Sequence, residues 1–488
     1  MESSGESFYW YDLETTGIDP RRDRVVQFAG LRTDLNLEPI EEPFVTYVRL
    51  APEILPSVEA TLITGITPAI AEQGESEWQA LSEINERFSM AKTCVTGFNS
   101  IRFDDEFIRF GFYRNLIDPY GREWRDGNSR WDLIDLVRAS GALRPDGLEW
   151  PLRDGVPVFS LEQMARANNL QHENAHDAMS DVEATLALAR AIRSCQPELY
   201  AYALTLRQKT AIGKLMLPLG EQICVHVSGI YPNRRFCLAP IVSVALHPTI
   251  DNRVIAVDLA GDIDFICEGS VDEIRNAVFA PAEQRRHETT RPGLVTVAFN
   301  QCPFIAPISV VREADADRLN IDLGQVQRSR ETLAKCPDLA ERIGAVYMDE
   351  ERDPPGDAEY ALYDGFISGA DGRSSERLQQ ALKNGNAWVD GEYSDPRLAT
   401  LAQRLKARVR PDEMDPKERR AYVEFVRHRL MGDDNKLNAF LDELHGWGKD
   451  DGLGAVSYTH LRANETLRYL VCRLLLEKKK GGGGGGGG

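Results

Sequence analysis

The sequence predicts an α/β domain, then a small, mainly β barrel-like module, then a helical C-terminal domain. Three observations predict this order. Strand-like and helix-like patterns alternate up to about residue 195. Regular β runs separated by Gly, Pro and Asn fill residues 222–310. Residues 358–446 are helical in pattern and follow an acidic, Pro-containing linker, DEERDPPGD (349–357). At 488 residues the chain is long enough to bury several cores.

FYWYDLETTG (8–17) is apolar and aromatic and reads as the first strand. VVQFAGLRT (25–33) and FVTYVRL (44–50) read as the next two. Apolar residues recur at helical spacing near 78–90, 103–114, 160–168 and 178–193. Such a mixture suggests a sheet that is mostly covered. The pattern changes at Gln196–Pro197. QICVHVSGI (222–230), RFCLAPIVSVAL (235–246), NRVIAVDLAG (252–261) and GLVTVAFNQCPFIAP (293–307) then supply the β module. The expected domains are 1–195, 196–350 and 357–454. The segment VSYTHLRANETLRYLVCRLLLEKKKGGGGGGGG (456–488) matches nothing before it. It resembles a translated sequencing-library adapter, with KKK as a poly-A run and the glycines as a poly-G run. Residues 455–488 are therefore expected to be non-native, with the native C-terminal helix missing, and are left out of fold reasoning.

The formal net charge of -19 argues, taken alone, against nucleic acid as a partner. Screening limits surface fields to about 8–10 Å at physiological salt, so a local basic groove remains compatible with it. The eight cysteines are scattered without a C-x-x-C pair, so neither a zinc site nor a disulfide framework is expected. No stretch is long and apolar enough to span a membrane, and the N-terminus lacks a signal-peptide pattern. The expected location is the cytoplasm.

Asp12 and Glu14 stand two apart on the first strand and so share a face. Side by side they would repel and resist ionising without a compensating cation. Hard oxygen ligands suit magnesium or manganese. A lone D-x-E is more often a strand end turning two acids into water, so more ligands must exist for this reading. GFNSIRFDDEFIR (97–109) offers Asp104 and Asp105 where Phe103, Phe107 and Phe110 predict a helix start. Acids there also stabilise a helix dipole, which leaves their role open. In HENAHDAMSDVEATLALARAI (172–192), Ala178, Val182, Leu186 and Ala189 form a helical stripe. Asp177 or Asn174 can cap it, and Asp181 then falls near the first turn. His176 precedes that helix, so both side chains can lean over one site. His is the side chain best matched to taking a proton near neutral pH.

A D-x-E on the first strand, an Asp opening a middle helix and H-x-x-x-x-D opening a later one resemble the DEDDh 3′–5′ exonucleases. The resemblance implies an RNase H-like fold, with Asp12, Glu14, Asp104 and Asp181 as catalytic, metal-binding acids and His176 as general base. It implies two magnesium ions, replaceable by manganese, about 3.5–4 Å apart at an in-line displacement. VVQFAGLRTD (25–34), LITGITP (62–68), FNSIRFDDE (98–106), NSRWDLIDLVRASGALRPDGLEWP (128–151) and NAHDAMSDV (174–182) are similar to bacterial exodeoxyribonuclease I. So are HVSG (226–229), VDLAGDI (257–263) and ADADRLNI (314–321). That family implies an RNase H-like exonuclease domain, an SH3-like β-barrel domain and a helical C-terminal domain around a groove for single-stranded DNA. It also implies 3′ to 5′ degradation releasing 5′-mononucleotides, in DNA repair and recombination.

Single strands are held by cations along the phosphates and aromatic faces under the bases. Arg109, Arg114, Tyr120, Trp124, Arg130, Trp131 and Arg138 interleave these types, although an ordinary amphipathic surface would do so too. By resemblance, Glu14, Arg109, Tyr120, Trp124, Arg138 and Ser160 contact the substrate, with Ser160 where a basic residue is expected. QRLKARVR (403–410) is expected to add basic charge near the helical domain. The resemblance also implies that Arg144, Tyr202 and Arg312 bind the acidic C-terminal tail of single-strand-binding protein. A monomer is expected. Two alternatives stand beside this reading. An exoribonuclease would share the site, because discrimination at the 2′-OH is a matter of pocket shape. A non-catalytic single-strand DNA-binding scaffold is disfavoured by the presence of all four acids and the His.

Overall fold

The computed structural model describes residues 5–170, 177–280, 293–348, 356–432 and 436–447. The first domain runs β1 (Ser7–Thr15), β2 (Val25–Thr33), β3 (Phe44–Arg49), α1 (Val58–Thr64), α2 (Pro68–Ala71), β4 (Glu75–Ser76) and α3 (Glu77–Phe88). It continues with β5 (Thr93–Gly97), α4 (Asp104–Arg114), β6 (Ser129–Asp132), α5 (Leu133–Leu143), β7 (Leu152–Arg153), β8 (Val156–Pro157), α6 (Leu161–Ala167) and α7 (Ala178–Cys195). One six-stranded sheet, ordered β4-β3-β2-β1-β5-β6, organises these elements. β1 lies inside it, antiparallel to β2 and parallel to β5.

β1 is buried on both faces, which explains its aromatic run. Tyr9, Tyr11 and Leu13 enter one core with Phe28, Phe88 and Phe107. Phe8 and Trp10 enter the other with Trp131, Val182 and Leu186. Asp12 and Glu14 continue the Phe8–Trp10 face and so point toward α7. The expected helices at 78–90, 103–114, 160–168 and 178–193 all form, within two or three residues at each end. Three elements beside β1 were not anticipated: β5, β6 and α5. The two strands are five and four residues long, too short for a periodic pattern to show.

The second domain runs α8 (Pro197–Thr205), α9 (Lys209–Met216), β9 (Cys224–Val227), β10 (Leu238–Leu246), β11 (Arg253–Asp258), α10 (Ile263–Glu268) and α11 (Val271–Phe279). It ends with β12 (Leu294–Ala298), β13 (Phe304–Pro307), α12 (Glu313–Leu319), α13 (Leu323–Leu333) and α14 (Leu339–Val346). Its sheet is antiparallel, ordered β12-β11-β10-β9-β13. The expected strands of the 222–310 module are present; α10 and α11, between β11 and β12, and α12 to α14, after β13, were not anticipated. The expectation of no disulfide is also corrected: Cys267 and Cys336 are bonded, with Cα atoms 5.8 Å apart. They are 69 positions apart in sequence, and only the packing of α10 near the end of α13 brings them together. The third domain holds α15 (Gly369–Lys383), α16 (Pro396–Val409), α17 (Pro416–Met431) and α18 (Lys436–Trp447). No described helix is long and apolar enough to cross a membrane. The expectation for residues 455–488 lies outside the described residues.

The three domains share their packing. Trp131 and Leu188 of the first belong to one apolar cluster with Val225 and Ile255 of the second. Phe110 and Tyr113 on α4 pack with Leu378, Leu401 and Leu405 of the third. A buried ionic junction adds to the latter contact. Glu359, fully buried, faces Arg24 of the first domain and Arg404, Arg408 and Arg429 of the third. Arg408 and Tyr422 also donate to Glu53 of the first domain. Burial opposes ionisation of Glu359, but Arg408, Arg24, Arg429 and Arg404 outweigh it and hold its carboxyl well below the ordinary value.

Removing one member of such a cluster leaves buried charges uncompensated. Glu359→Ala is expected to lower the unfolding free energy by about 3–5 kcal/mol, read from urea unfolding. Because the folded-state pKa is depressed, this stabilisation is complete above about pH 4.3 and is lost as the pH falls further. A loss under about 1 kcal/mol would show that the junction does not hold the domains.

Candidate active site

One carboxylate oxygen from each of Asp12, Glu14 and Asp181 lies within 4.8 Å of the others. β1 supplies the first two, and the first turn of α7 supplies the third. β2 sets their relation. Gln27 pairs with Glu14 across the β1–β2 ladder. Its side-chain amide donates to Asp177 Oδ1 at 3.1 Å, and its side-chain carbonyl accepts from the Ala178 N–H at 3.4 Å. Asp177 in turn caps α7 by accepting from the Ser180 N–H. The start of α7 is thus pinned over the strand that carries the acids. Sequence reasoning missed Gln27, whose only signal was a polar residue inside the apolar run VVQFAG. His176 lies outside the described residues.

The structure separates Asp104 from Asp105, which the sequence left open. Both are buried at the start of α4. Asp105 accepts from Tyr11 Oη at 2.8 Å, Arg122 Nη2 at 2.6 Å and Arg130 Nη1 at 2.7 Å. Burial would raise its pKa, but Arg122, Arg130 and Arg109 overcome it and hold the carboxyl below its ordinary value. Asp104 is not one of the three acids whose oxygens converge, but it acts electrostatically on Asp12. Burial, then Asp105, Asp132 and Glu14, push its carboxyl well above the ordinary range.

The same contrast marks the cluster. Burial, then Asp104, Asp181, Glu14 and Asp177, push Asp12 well above the ordinary value. Burial, then Asp181 and Asp177, push Glu14 up to about 8. Every charged neighbour that acts strongly on Asp12 and Glu14 is itself an acid. An all-oxygen donor set with clustered negative charge fits hard divalent cations. The arrangement can therefore hold such ions beside a reacting oxyanion.

Comparisons with known proteins agree with this geometry. Residues 9–189 match the family model described as Exonuclease. Residues 207–349 match the Exonuclease I SH3-like domain, and residues 356–452 match the Exonuclease I C-terminal domain. Exodeoxyribonuclease I of Haemophilus influenzae is 39% identical over 406 residues, covering 82% of this chain and 86% of that protein. The chain belongs to the exodeoxyribonuclease I family. The Escherichia coli member is 37% identical over 90% of this chain and 92% of its own length. Among solved structures, E. coli Exonuclease I in complex with a dA16 oligonucleotide superposes with a TM-score of 0.89 at 35% identity. That match covers 96% of this chain and 100% of the E. coli chain. A moderately thermophilic Exonuclease I from Methylocaldum szegediense gives a TM-score of 0.88 at 38% identity, over 96% and 100% of the two chains. The RNase H-like, SH3-like and helical architecture is that of the exodeoxyribonuclease I family.

The substrate-binding residues expected for this family occupy different settings. Trp124 is 65% exposed, and Tyr120 is half-buried under the Arg109 guanidinium. Arg109 is engaged by both oxygens of Glu123, at 2.8 and 2.9 Å, and by Glu106 at 2.7 Å. Arg138 pairs with Asp135 at 2.9 Å and lies over the ring of Phe159. Ser160 caps α6 by accepting from the Gln163 N–H, a role that explains a hydroxyl at this position. Three of the interleaved cations are corrected: Arg109, Arg114 and Arg130 are buried and form no outer surface, while Trp131 is a core residue. The basic run 403–410 is corrected too. Arg404 and Arg408 bind Asp357 and Glu359, Lys406 binds Glu418 and Arg410 binds Glu413, so its charge is spent internally. Two third-domain residues were not anticipated, one of them, Tyr363, beside Arg109. Tyr363 donates to Glu106 at 2.6 Å, and Phe366, three positions on, is fully exposed.

Arg144 and Arg312 come together at the end of α5. Both donate to the Leu143 carbonyl and both face Asp315, at 3.8 and 2.6 Å. Tyr202 donates to the Ile305 carbonyl at 2.7 Å.

Mutual repulsion in the cluster has a direct consequence. In EDTA, Asp12→Asn is expected to melt above the wild type by about 2 °C or more, because one charge leaves the site. Differential scanning calorimetry reads this. An equal or lower melting temperature would mean that the acids do not strain one another.

Proposed function

We propose that the chain is a magnesium-dependent exonuclease that degrades single-stranded DNA from 3′ to 5′ and releases 5′-mononucleotides. The observation that carries this reading is the clustering of Asp12, Glu14 and Asp181, with the charge of Asp104 acting on Asp12, in an exodeoxyribonuclease I fold. Relatives in complexes with single-stranded oligonucleotides support DNA as the substrate, and a zinc-bound E. coli complex supports a divalent site. The four acids would hold the ions. Magnesium, when bound, supplies an activated water and charge neutralisation at the phosphodiester.

The chain's own residues do the remainder. His176 immediately precedes Asp177 in the sequence, and Asp177 acts on Glu14, so His176 is assigned the role of taking the proton of the attacking water. Tyr120, Trp124 and Phe366 offer faces on which bases stack. Arg138 supplies charge along the phosphates, and Glu14 and Ser160 stand by the terminal nucleotide. Arg144, Tyr202 and Arg312 form a partner pocket for the acidic tail of single-strand-binding protein. Their convergence around the 304–315 segment supports this assignment. The reading includes a cytoplasmic monomer in DNA repair and recombination. The Cys267–Cys336 disulfide weighs against a reducing compartment, and the DNA substrate weighs for the cytoplasm. Residues 455–488 remain proposed as non-native. The match to the C-terminal domain ends at residue 452, which is consistent with that.

The test uses end-labelled single-stranded DNA, duplex DNA and RNA with magnesium, then with excess EDTA. Stepwise loss of nucleotides from the 3′ end of single-stranded DNA, abolished by EDTA, is expected. Equal attack on RNA would favour an exoribonuclease, and binding without loss would favour a scaffold. His176→Ala is expected to lower kcat by about a hundredfold or more, with DNA affinity unchanged. A near-normal kcat would remove His176 from the chemistry.

A further inference from the structure

Among the described residues Asp105 belongs to no metal cluster, yet it touches the elements that build one. It is 2% exposed and accepts from Tyr11, Arg122 and Arg130. Tyr11 immediately precedes Asp12 on β1, and Asp105 immediately follows Asp104 on α4. The 2.8 Å Tyr11–Asp105 hydrogen bond therefore ties the strand bearing one acid to the helix bearing the other.

The carboxylate is itself held from several directions. Arg122 is fully buried and lies over the Phe88 ring, 5.0 Å from its centroid. Arg130 donates to the Asn300 carbonyl of the second domain at 3.0 Å and pairs with Glu123 at 3.1 Å. Glu123 grips Arg109, Arg109 holds Glu106, and Glu106 accepts from Tyr363 of the third domain. Arg109, Arg122 and Arg130 balance Asp105, Glu106 and Glu123, so the network closes with no net charge. All three domains contribute to it, and it ends one residue from Asp104.

We infer that Asp105 is a positioning residue for the divalent-cation site, fixing Asp104 against Asp12 through Tyr11 while Arg122 and Arg130 hold it in place. The inference rests on the metal-dependent reading proposed above. Groups that orient metal ligands from behind typically change metal affinity or activity by about 10–100-fold when removed. Asp105→Asn removes the charge at nearly constant shape. Tyr11→Phe removes only the hydroxyl and leaves the ring in its core.

The experiment is calorimetric titration of the wild type, Asp105→Asn and Tyr11→Phe with Mn²⁺ alone. Steady-state kinetics on a single-stranded oligonucleotide run in parallel. Asp105→Asn is expected to bind Mn²⁺ about tenfold or more weakly, and Tyr11→Phe less tightly than wild type by a smaller factor. KM for the oligonucleotide is expected to stay constant, and raised Mn²⁺ is expected to restore kcat, which a general structural defect would not show. Folded variants that bind Mn²⁺ as the wild type does overturn the inference. If Asp105→Asn does not fold, wild-type affinity in Tyr11→Phe overturns it alone. A wild-type protein that binds no Mn²⁺ overturns the metal-dependent reading itself, before any variant is compared.

Discussion

Mutual repulsion among Asp12, Glu14, Asp104 and Asp181 is the constraint around which the first domain is arranged. Carboxylates buried together resist ionising, and a fold will part them unless their backbones are held. Here the holding is done by neighbours outside the cluster. β1 pairs with β2 along its length and with β5 over Ser7–Trp10, so the backbone that carries Asp12 and Glu14 is held in place. Gln27 pins the start of α7, and Asp105 pins the start of α4. The site is built in a state that a divalent cation relieves, which places its stabilisation on the side of function.

Arginine use follows a related logic. The chain carries a net charge of -19, yet many arginines point inward rather than toward solvent. Four converge on Glu359 and two bind Asp105 directly. Arg24–Glu359 and Arg408–Glu53 join the first and third domains, and the other pairs brace the interior of one domain, through planar, multi-pronged contacts that lysine could not make. Of the two arginines expected along the strand, Arg109 is buried and Arg138 half-buried, and both are already partnered. Affinity for a single strand would then depend more on stacking at Trp124 and Tyr120 than on unopposed charge.

Much of this was legible in the sequence, because the strongest signals are local. The D-x-E of β1 declares a shared face by its spacing, and the apolar stripe from Ala178 to Ala189 declares α7. The family resemblance then ordered the three domains. What could not be read depends on partners far apart in the chain. Nothing near Asp104 and Asp105 distinguishes them, since the arginines that claim Asp105 lie 17 and 25 residues away. The QRLKARVR run looked like free basic charge because Glu359 and Asp357 stand about fifty residues before it. The Cys267–Cys336 pair spans 69 residues and carries no spacing signature. β5, beside β1, and β6, at the sheet's edge, are too short to announce themselves.

The direct measurement is anomalous diffraction from crystals of the wild-type protein soaked in Mn²⁺. Density is expected among the carboxylates of Asp12, Glu14 and Asp181, within coordination distance of all three. Manganese found only elsewhere on the molecule, with these acids apart or paired to basic side chains, would contradict a cation-relieved cluster.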